Sequence, residues 1–352
     1  MQQKIEKWLL DKKTYQEKQP FQYFYLEWNN TEPIVSWEIE MPKIITFKKI
    51  IKWRIEKNYS IDITVCCNQT NKKKFKPNIE NLTNFKTTFL KSHLQKCIRR
   101  KIKNKSIKTA YTLICKNFNE FIRRISIIML EDCHLHYSFS YLIWIMVAYP
   151  EYQLTEDDIN YLLKIIENLV SIEYKDPPQK KEYSMFKNIS QINKLNSKFM
   201  SLIYSIGLRR SFGGMNGDMQ VLSYFIEKWC YRFKNGKNLN SEVFRKINLN
   251  KKFILNDKLF LRDNINYSAI DFHCFPGILS YLNVVYPEGD EDLFKKLIWD
   301  NISSINLRKD IDDDLKIIAK QEKIKYDIEL WDKYKEGINR TIIKFKENIY
   351  DS

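Results

Sequence analysis

The chain has 352 residues, 44% of them hydrophobic and 14% aromatic, which is enough apolar material for a proper core and excludes an intrinsically disordered chain. Its 8 glycines and 9 prolines are few for this length, so long helices with few tight turns are expected. The net charge of +16 favours polyanionic partners, nucleic acid first and anionic membrane second, and the clustering of that charge is more informative than its total.

Seven cysteines, at 66, 67, 97, 115, 133, 230 and 274, form an odd set with no CxxC pair. That argues against a disulfide framework or a ribbon-type zinc site and for a reducing, intracellular compartment. The opening MQQKIEKWLLDKK lacks the apolar core of a secretory signal. The longest apolar run, Tyr141 to Tyr149, is about half a membrane span, so no transmembrane segment is expected.

Residues 3–12 suit one short helix. Phe21 to Trp28, Pro33 to Glu40 and Ser60 to Cys67 are rich in aromatic and β-branched residues with partial alternation, which predicts strands. Asn29 to Glu32 is the turn between the first two, and Ile45 to Arg54 fits a strand or a helix. Residues 1–77 are read as a small N-terminal β or α+β subdomain that closes in a lysine-rich linker.

From 81 to 119 there is no acidic residue, and the window holds ten lysines and arginines, seven of them between Lys96 and Lys108. Leu90, Leu94, Cys97, Ile98 and Ile102 recur at helical spacing, which buries one face and leaves the cations on the others. Lys96, Arg99, Arg100, Lys101, Lys103, Lys105 and Lys108 are therefore candidate phosphate contacts; the alternative is a solvated helix in a lysine-rich protein. Helices are predicted near 106–117, 119–131, 138–149 and 155–173, the last opened by Thr155 as N-cap with Glu156, Asp157 and Asp158 in its first turn. Together these make a basic helical domain over 78–174. Residues 175–188, with Pro177-Pro178, read as a linker to a second helical domain over 189–352.

That second domain opens with a helix near 190–209. Four of the 8 glycines then fall between Gly207 and Gly217. Arg209, Arg210, Gly213, Gly214 and Gly217, ahead of a helix over 219–234 that Asp218 could cap, have the parts of an anion site: backbone amides, a positive dipole end and guanidinium groups. The stretch is not a Walker loop, and a sharp inter-helix turn is the more economical reading of it. Residues 235–266 look irregular, and helices are predicted over 270–286, 290–301 and 326–349. The fold class is mainly α, a multi-helix array or bundle with the small β-containing piece at its N-terminus.

The stretch from Leu94 to Ala148 carries a basic helix opening on Lys96, Arg99 and Arg100, a helix centred on Ala110, then Arg123-Arg124, an apolar run and Glu131-Asp132. This succession resembles the helical C-terminal region of the RarA/MgsA branch of clamp-loader-like ATPases, over about a sixth of the chain. The resemblance implies an oligomerisation and architecture module of the kind that accompanies a motor at replication forks. No Walker A or Walker B pattern precedes it here, so no ATPase activity is implied. The wider architecture is also similar to uncharacterised proteins of large DNA viruses and some protists, which implies no function.

Glu131, Asp132, His134 and His136, together with Asp271 and His273, are of the residue types that hold zinc or a harder divalent ion. Neither spacing is a metal signature, and adjacent acids on a helix diverge by about 100°. The economical alternative is structural: Arg123 or Arg124 pairs with Glu131 or Asp132, and the histidines cap helix ends or bond carbonyls. A cysteine–histidine nucleophile at Cys133 or Cys274 has no signature around it. Trp144, Trp229 and Trp299 read as core. Tyr23, Tyr25 and Trp28 suit either base stacking or a half-buried strand.

The expected function is a non-enzymatic nucleic-acid-associated or scaffolding protein, connected with replication or repair, that binds DNA or RNA phosphates through the basic helix and uses no cofactor. A metal-dependent enzyme built on the acid–histidine clusters and a homo-oligomerisation module are the alternatives.

Overall fold

Alternating apolar and polar residues near the start of the chain pair into one sheet in the computed structural model, which describes residues 21–29, 32–56, 59–69, 72–77, 80, 82–176, 195, 197–236, 246–262, 275–310 and 321–350. The strands are β1 (Tyr23–Trp28), β2 (Pro33–Glu38), β3 (Phe47–Glu56) and β4 (Tyr59–Cys67). Their order is β2-β1-β4-β3, with β1 and β4 parallel at the centre and an antiparallel partner on each side. The ambiguous run from Ile45 is thus a strand, because its alternate residues Ile51 and Trp53 are buried while Lys48, Ile50, Lys52 and Arg54 face out. At the predicted turn the Glu32 amide donates to Asn29 Oδ1 at 2.8 Å.

The helices are α1 (Thr87–Arg99), α2 (Lys103–Lys116), α3 (Phe118–Asp132), α4 (Ser138–Ala148) and α5 (Glu156–Ser171), then α6 (Ser197–Ser211) and α7 (Asn216–Asn235). Last come α8 (Phe275–Val285), α9 (Glu291–Ile298) and α10 (Gln321–Tyr350). The molecule is mainly α with a small N-terminal β subdomain, and no helix among the described residues is long and apolar enough to cross a membrane. The predicted helix at 3–12 and the proline-bearing segment 177–187 lie outside the described residues.

Contacts divide the chain into two units, each assembled from separated stretches. In the first, 135–158 and 197–236 join the sheet. The sequence SFSYLIWIMVA of α4 has no polar face, so the helix is buried all round. The Trp144 indole N–H reaches the carbonyls of Phe24 (3.0 Å) and Cys66 (3.1 Å), tying α4 to both central strands. Phe21, Trp37 and Trp53 from the sheet form an aromatic cluster with Tyr204 of α6. At the end of this unit Asp158 is fully buried and accepts from the Thr155 amide, the Thr155 hydroxyl, Tyr141 Oη and Tyr152 Oη at 2.7–3.0 Å. Burial pushes its carboxyl above the usual range even so.

The second unit comprises 76–134, 159–176, 246–262, 275–310 and 321–350. Helices α1, α2 and α3 pack on one another, and α8, α9 and α10 close around Ile278, Leu282, Phe294, Leu297, Ile338 and Ile342. The stretch 78–174 contributes to both units, 135–158 grouping with the sheet. A 3.6-residue pattern shows that a helix face is buried but not against what. Trp144 and Trp229 are core as read, whereas Trp299 is 38% exposed because it opens a short π-turn (Trp299–Ser303) where α9 ends.

Candidate functional site

The basic run 96–108 spans the end of α1 and the start of α2, and the structure sorts its cations into two groups. Lys96 and Arg99 are 6% and 7% exposed and so lie off the surface. Lys96 Nζ donates to Ser92 Oγ one turn back (3.3 Å). Arg99 Nε meets Asp132 Oδ1 at 2.6 Å, and its other arm donates to the Ser303 carbonyl at 2.7 Å. Arg100 donates to the Ile302 carbonyl, Lys101 pairs with Glu173, and Lys103 pairs with Glu167.

Around Arg99 a buried polar network ties four segments together. Gln95 Nε2 donates to Glu131 Oε2 (3.0 Å) and Asp132 Oδ2 (2.8 Å), while Arg124 donates to Gln95 Oε1. Arg308 caps two helix ends at once, donating to the Ile98 carbonyl (2.9 Å) at the end of α1 and the Leu169 carbonyl (2.5 Å) near the end of α5, where the helix dipole favours a cation. At the arginine–carboxylate lock expected at Glu131-Asp132, Asp132 pairs with Arg99 from α1, while Arg124 lies near enough to Glu131 to act on its carboxyl. Burial and the neighbouring Asp132 hold the Glu131 carboxyl above its usual range.

Of the acid–histidine residues, Glu131 and Asp132 belong to this network. His134 is buried, and His136 Nδ1 lies 2.9 Å from Ser138 Oγ at the start of α4. Asp271, His273 and Cys274 lie outside the described residues. Among the described residues no three His, Cys, Asp or Glu side chains stand together as a metal-holding group. The described cysteines are buried. Cys133 contacts the Leu169 carbonyl and has its thiol pushed up to about 11 by burial, the setting of an inert structural thiol. His93, which sequence reasoning passed over, is fully buried beside Thr109 Oγ1 (2.8 Å) and Cys97, and burial first, with Lys105 and Lys96, drives its imidazole down to about 3.

Lys105 and Lys108 end up elsewhere. They line a cleft of about 430 Å³ formed by the start of α2 and the strap 253–262. Two side chains fasten the strap: Asn160 Oδ1 accepts from the Phe253 amide and Thr112 Oγ1 from the Leu261 amide, both at 2.7 Å. The floor is apolar, made of Ile107, Phe253, Leu259 and Leu261. Asn104, Lys105, Lys108 and Arg262 provide the polar lining, and Lys108, Arg262 and Asn104 are exposed. Asn104 and Lys108 are one helical turn apart and so share a side of α2. The first turn of α2 has no acidic residue and no side-chain cap, which leaves backbone amides and the positive dipole end beside the cations. Sequence reasoning missed Phe253, Leu259, Leu261 and Arg262 because they fall in a stretch without helical or strand period. The available signal was the interleaving of apolar and basic residues in KKFILNDKLFLR.

The glycine loop is built differently. Arg209 is 2% exposed and donates to the Gly213 carbonyl at 3.0 Å, so it clamps the turn from inside. Gly213 (φ +71°) and Gly214 (φ +157°) take backbone conformations that side chains rarely adopt, which is why glycines stand there. Helix α7 begins at Asn216 with Met215 as its N-cap, so Asp218 sits in the first turn instead of capping, and its carboxylate lies close to Gly214. Gly217 is inside the helix, and Arg210 is half-buried. The arrangement has the parts of a sharp inter-helix turn, with an acid where an anion would have to sit. Comparison with protein-family models, with curated proteins and with solved structures finds no match.

Proposed function

We propose that the chain is a non-enzymatic nucleic-acid-associated protein that holds phosphates at the cleft between α2 and the strap 253–262. The observation that carries this reading is the composition of the cleft: Lys105, Lys108 and Arg262 line it and no acidic side chain does so among the described residues. The uncapped first turn of α2 adds a favourable field for an anion. Lys108 and Arg262 are the principal phosphate contacts, whereas Lys96, Arg99 and Arg100 are engaged within the fold and Lys101 and Lys103 are paired with Glu173 and Glu167. A role at replication or repair sites is part of the same proposal. The positions that carry the resemblance to clamp-loader-like ATPases support its architectural side, since Arg99, Ala110 and Asp132 lie in the interior.

Fluorescence anisotropy with labelled oligonucleotides tests the reading. Affinity should fall steeply between about 50 and 200 mM salt, and log K should lose roughly one unit of salt slope for each cation removed. The double variant K108E/R262E should bind at least about tenfold more weakly with an unchanged unfolding midpoint. Negligible affinity at low salt, or wild-type affinity in the double variant, would overturn it.

A further inference from the structure

We infer that the cleft accepts an unstacked nucleobase and that its ligand is therefore single-stranded nucleic acid; this rests on the nucleic-acid reading above. A duplex offers a protein surface its phosphates and the edges of paired bases, and would leave the floor of Ile107, Phe253, Leu259 and Leu261 uncovered. A splayed base with its sugar can cover such a floor, and about 430 Å³ is a volume suited to a small ligand. Phe253 is the aromatic side chain in the lining. The Lys164 ammonium lies 4.9 Å from its ring centre and is itself held by Glu167 at 2.7 Å, which fixes the ring in place. The Asn104 carboxamide offers both a donor and an acceptor to a base edge. Lys108 and Arg262 are left for the phosphates on either side of the inserted nucleotide, the usual pairing of stacking surface and backbone cations in single-strand binding. Because the Asn160 and Thr112 bonds fasten the strap at both ends, the cavity is formed before the ligand arrives.

Three labelled probes of one length separate this inference from the reading beneath it: a single strand in DNA and RNA form, the corresponding duplex, and a single strand whose nucleotides are abasic and so keep the phosphates alone. The full-length protein should bind one of the two intact single strands about tenfold more tightly than both the duplex and the abasic strand. F253A should bring those affinities within about twofold of one another. L259A, at a side chain only half-buried, should act in the same direction to a smaller extent. If duplex and abasic strand bind as tightly as the intact single strands, the base-insertion inference is overturned while phosphate binding stands. If none of the probes binds at low salt, both are overturned.

Discussion

Arg99, at the end of α1, and Lys108, in α2, belong to the same run of cations, yet Arg99 is 7% exposed with Asp132 at 2.6 Å while Lys108 faces solvent at a cleft. The two halves of the run differ in what surrounds them. From 96 to 103 each cation for which the structure gives a partner meets an acid, a hydroxyl or a carbonyl supplied by another segment or by its own helix. From 104 to 108 the chain borders a cleft whose floor is apolar, and a further cation arrives there with Arg262. A one-sided charge run is therefore not one functional surface. Its first half answers acids, a hydroxyl and carbonyls, and its second half borders the cleft.

The largest effect should come from breaking the buried half. Asp132→Ala leaves the Arg99 guanidinium without its counter-charge and should cost about 3–5 kcal/mol of stability in denaturant unfolding. A loss below about 1 kcal/mol would place Arg99 with the surface cations and dissolve the contrast. The same geometry shows that charge reversal at Arg99 cannot test binding, since it would set two acids against each other in the interior.

His93 sharpens the comparison through pH. Its imidazole is held well below its unfolded value, down to about 3, so between roughly pH 6.5 and 3 the unfolded chain takes up a proton that the folded chain refuses. That contribution to stability is fully present above the unfolded pKa and is lost as pH falls, by an amount on the order of a few kcal/mol. The raised carboxyl of Glu131 acts in the opposite sense, so the difference between wild type and H93Q is the quantity to follow in denaturation curves across pH. That difference should shrink steadily as the solution is acidified; a constant difference would remove His93 from the account.

The smallest effects should come at the junction of the two halves. Lys101 and Lys103 pair with Glu173 and Glu167, and these side chains retain solvent contact. K101Q and K103Q should each change stability by less than about 1 kcal/mol, and less still in high salt. A larger loss in thermal unfolding would move the boundary of the structural half toward the cleft.

Much of the fold could be read from residue patterns. The alternation in β1, β2 and β4 and the apolar spacing of α1 to α5 correspond to elements with long, regular period, and the fold class followed from them. Partnership was not legible. Nothing near Arg99 signals that its second contact is the Ser303 carbonyl, or that Arg308 would return to cap the ends of α1 and α5. The cleft was half legible, because Lys105 and Lys108 stand in a visible charge run while Phe253 and Arg262 sit in an aperiodic strap whose position is set by two hydrogen bonds to distant helices. The histidines attracted attention for their acidic neighbours in sequence, but Glu131 and Asp132 end α3 while His134 and His136 lie beyond it, in the connection to α4.

The bond from Arg99 to the Ser303 carbonyl spans 204 positions of the chain, and the bonds from Arg308 to Ile98 and Leu169 span 210 and 139. On a ribosome adding about 5–20 residues per second, α1 emerges roughly 10–40 s before the carbonyls and the guanidinium that complete it. During that interval α1 and α3 can form, but part of their interior charge is still unanswered and the late-made segment has yet to dock. The nascent chain therefore depends on its last third to seal a core begun in its first. A stalled or truncated product ending before residue 300 would be a preferred client for chaperones and proteases, even though α1 to α7 would all have been synthesised.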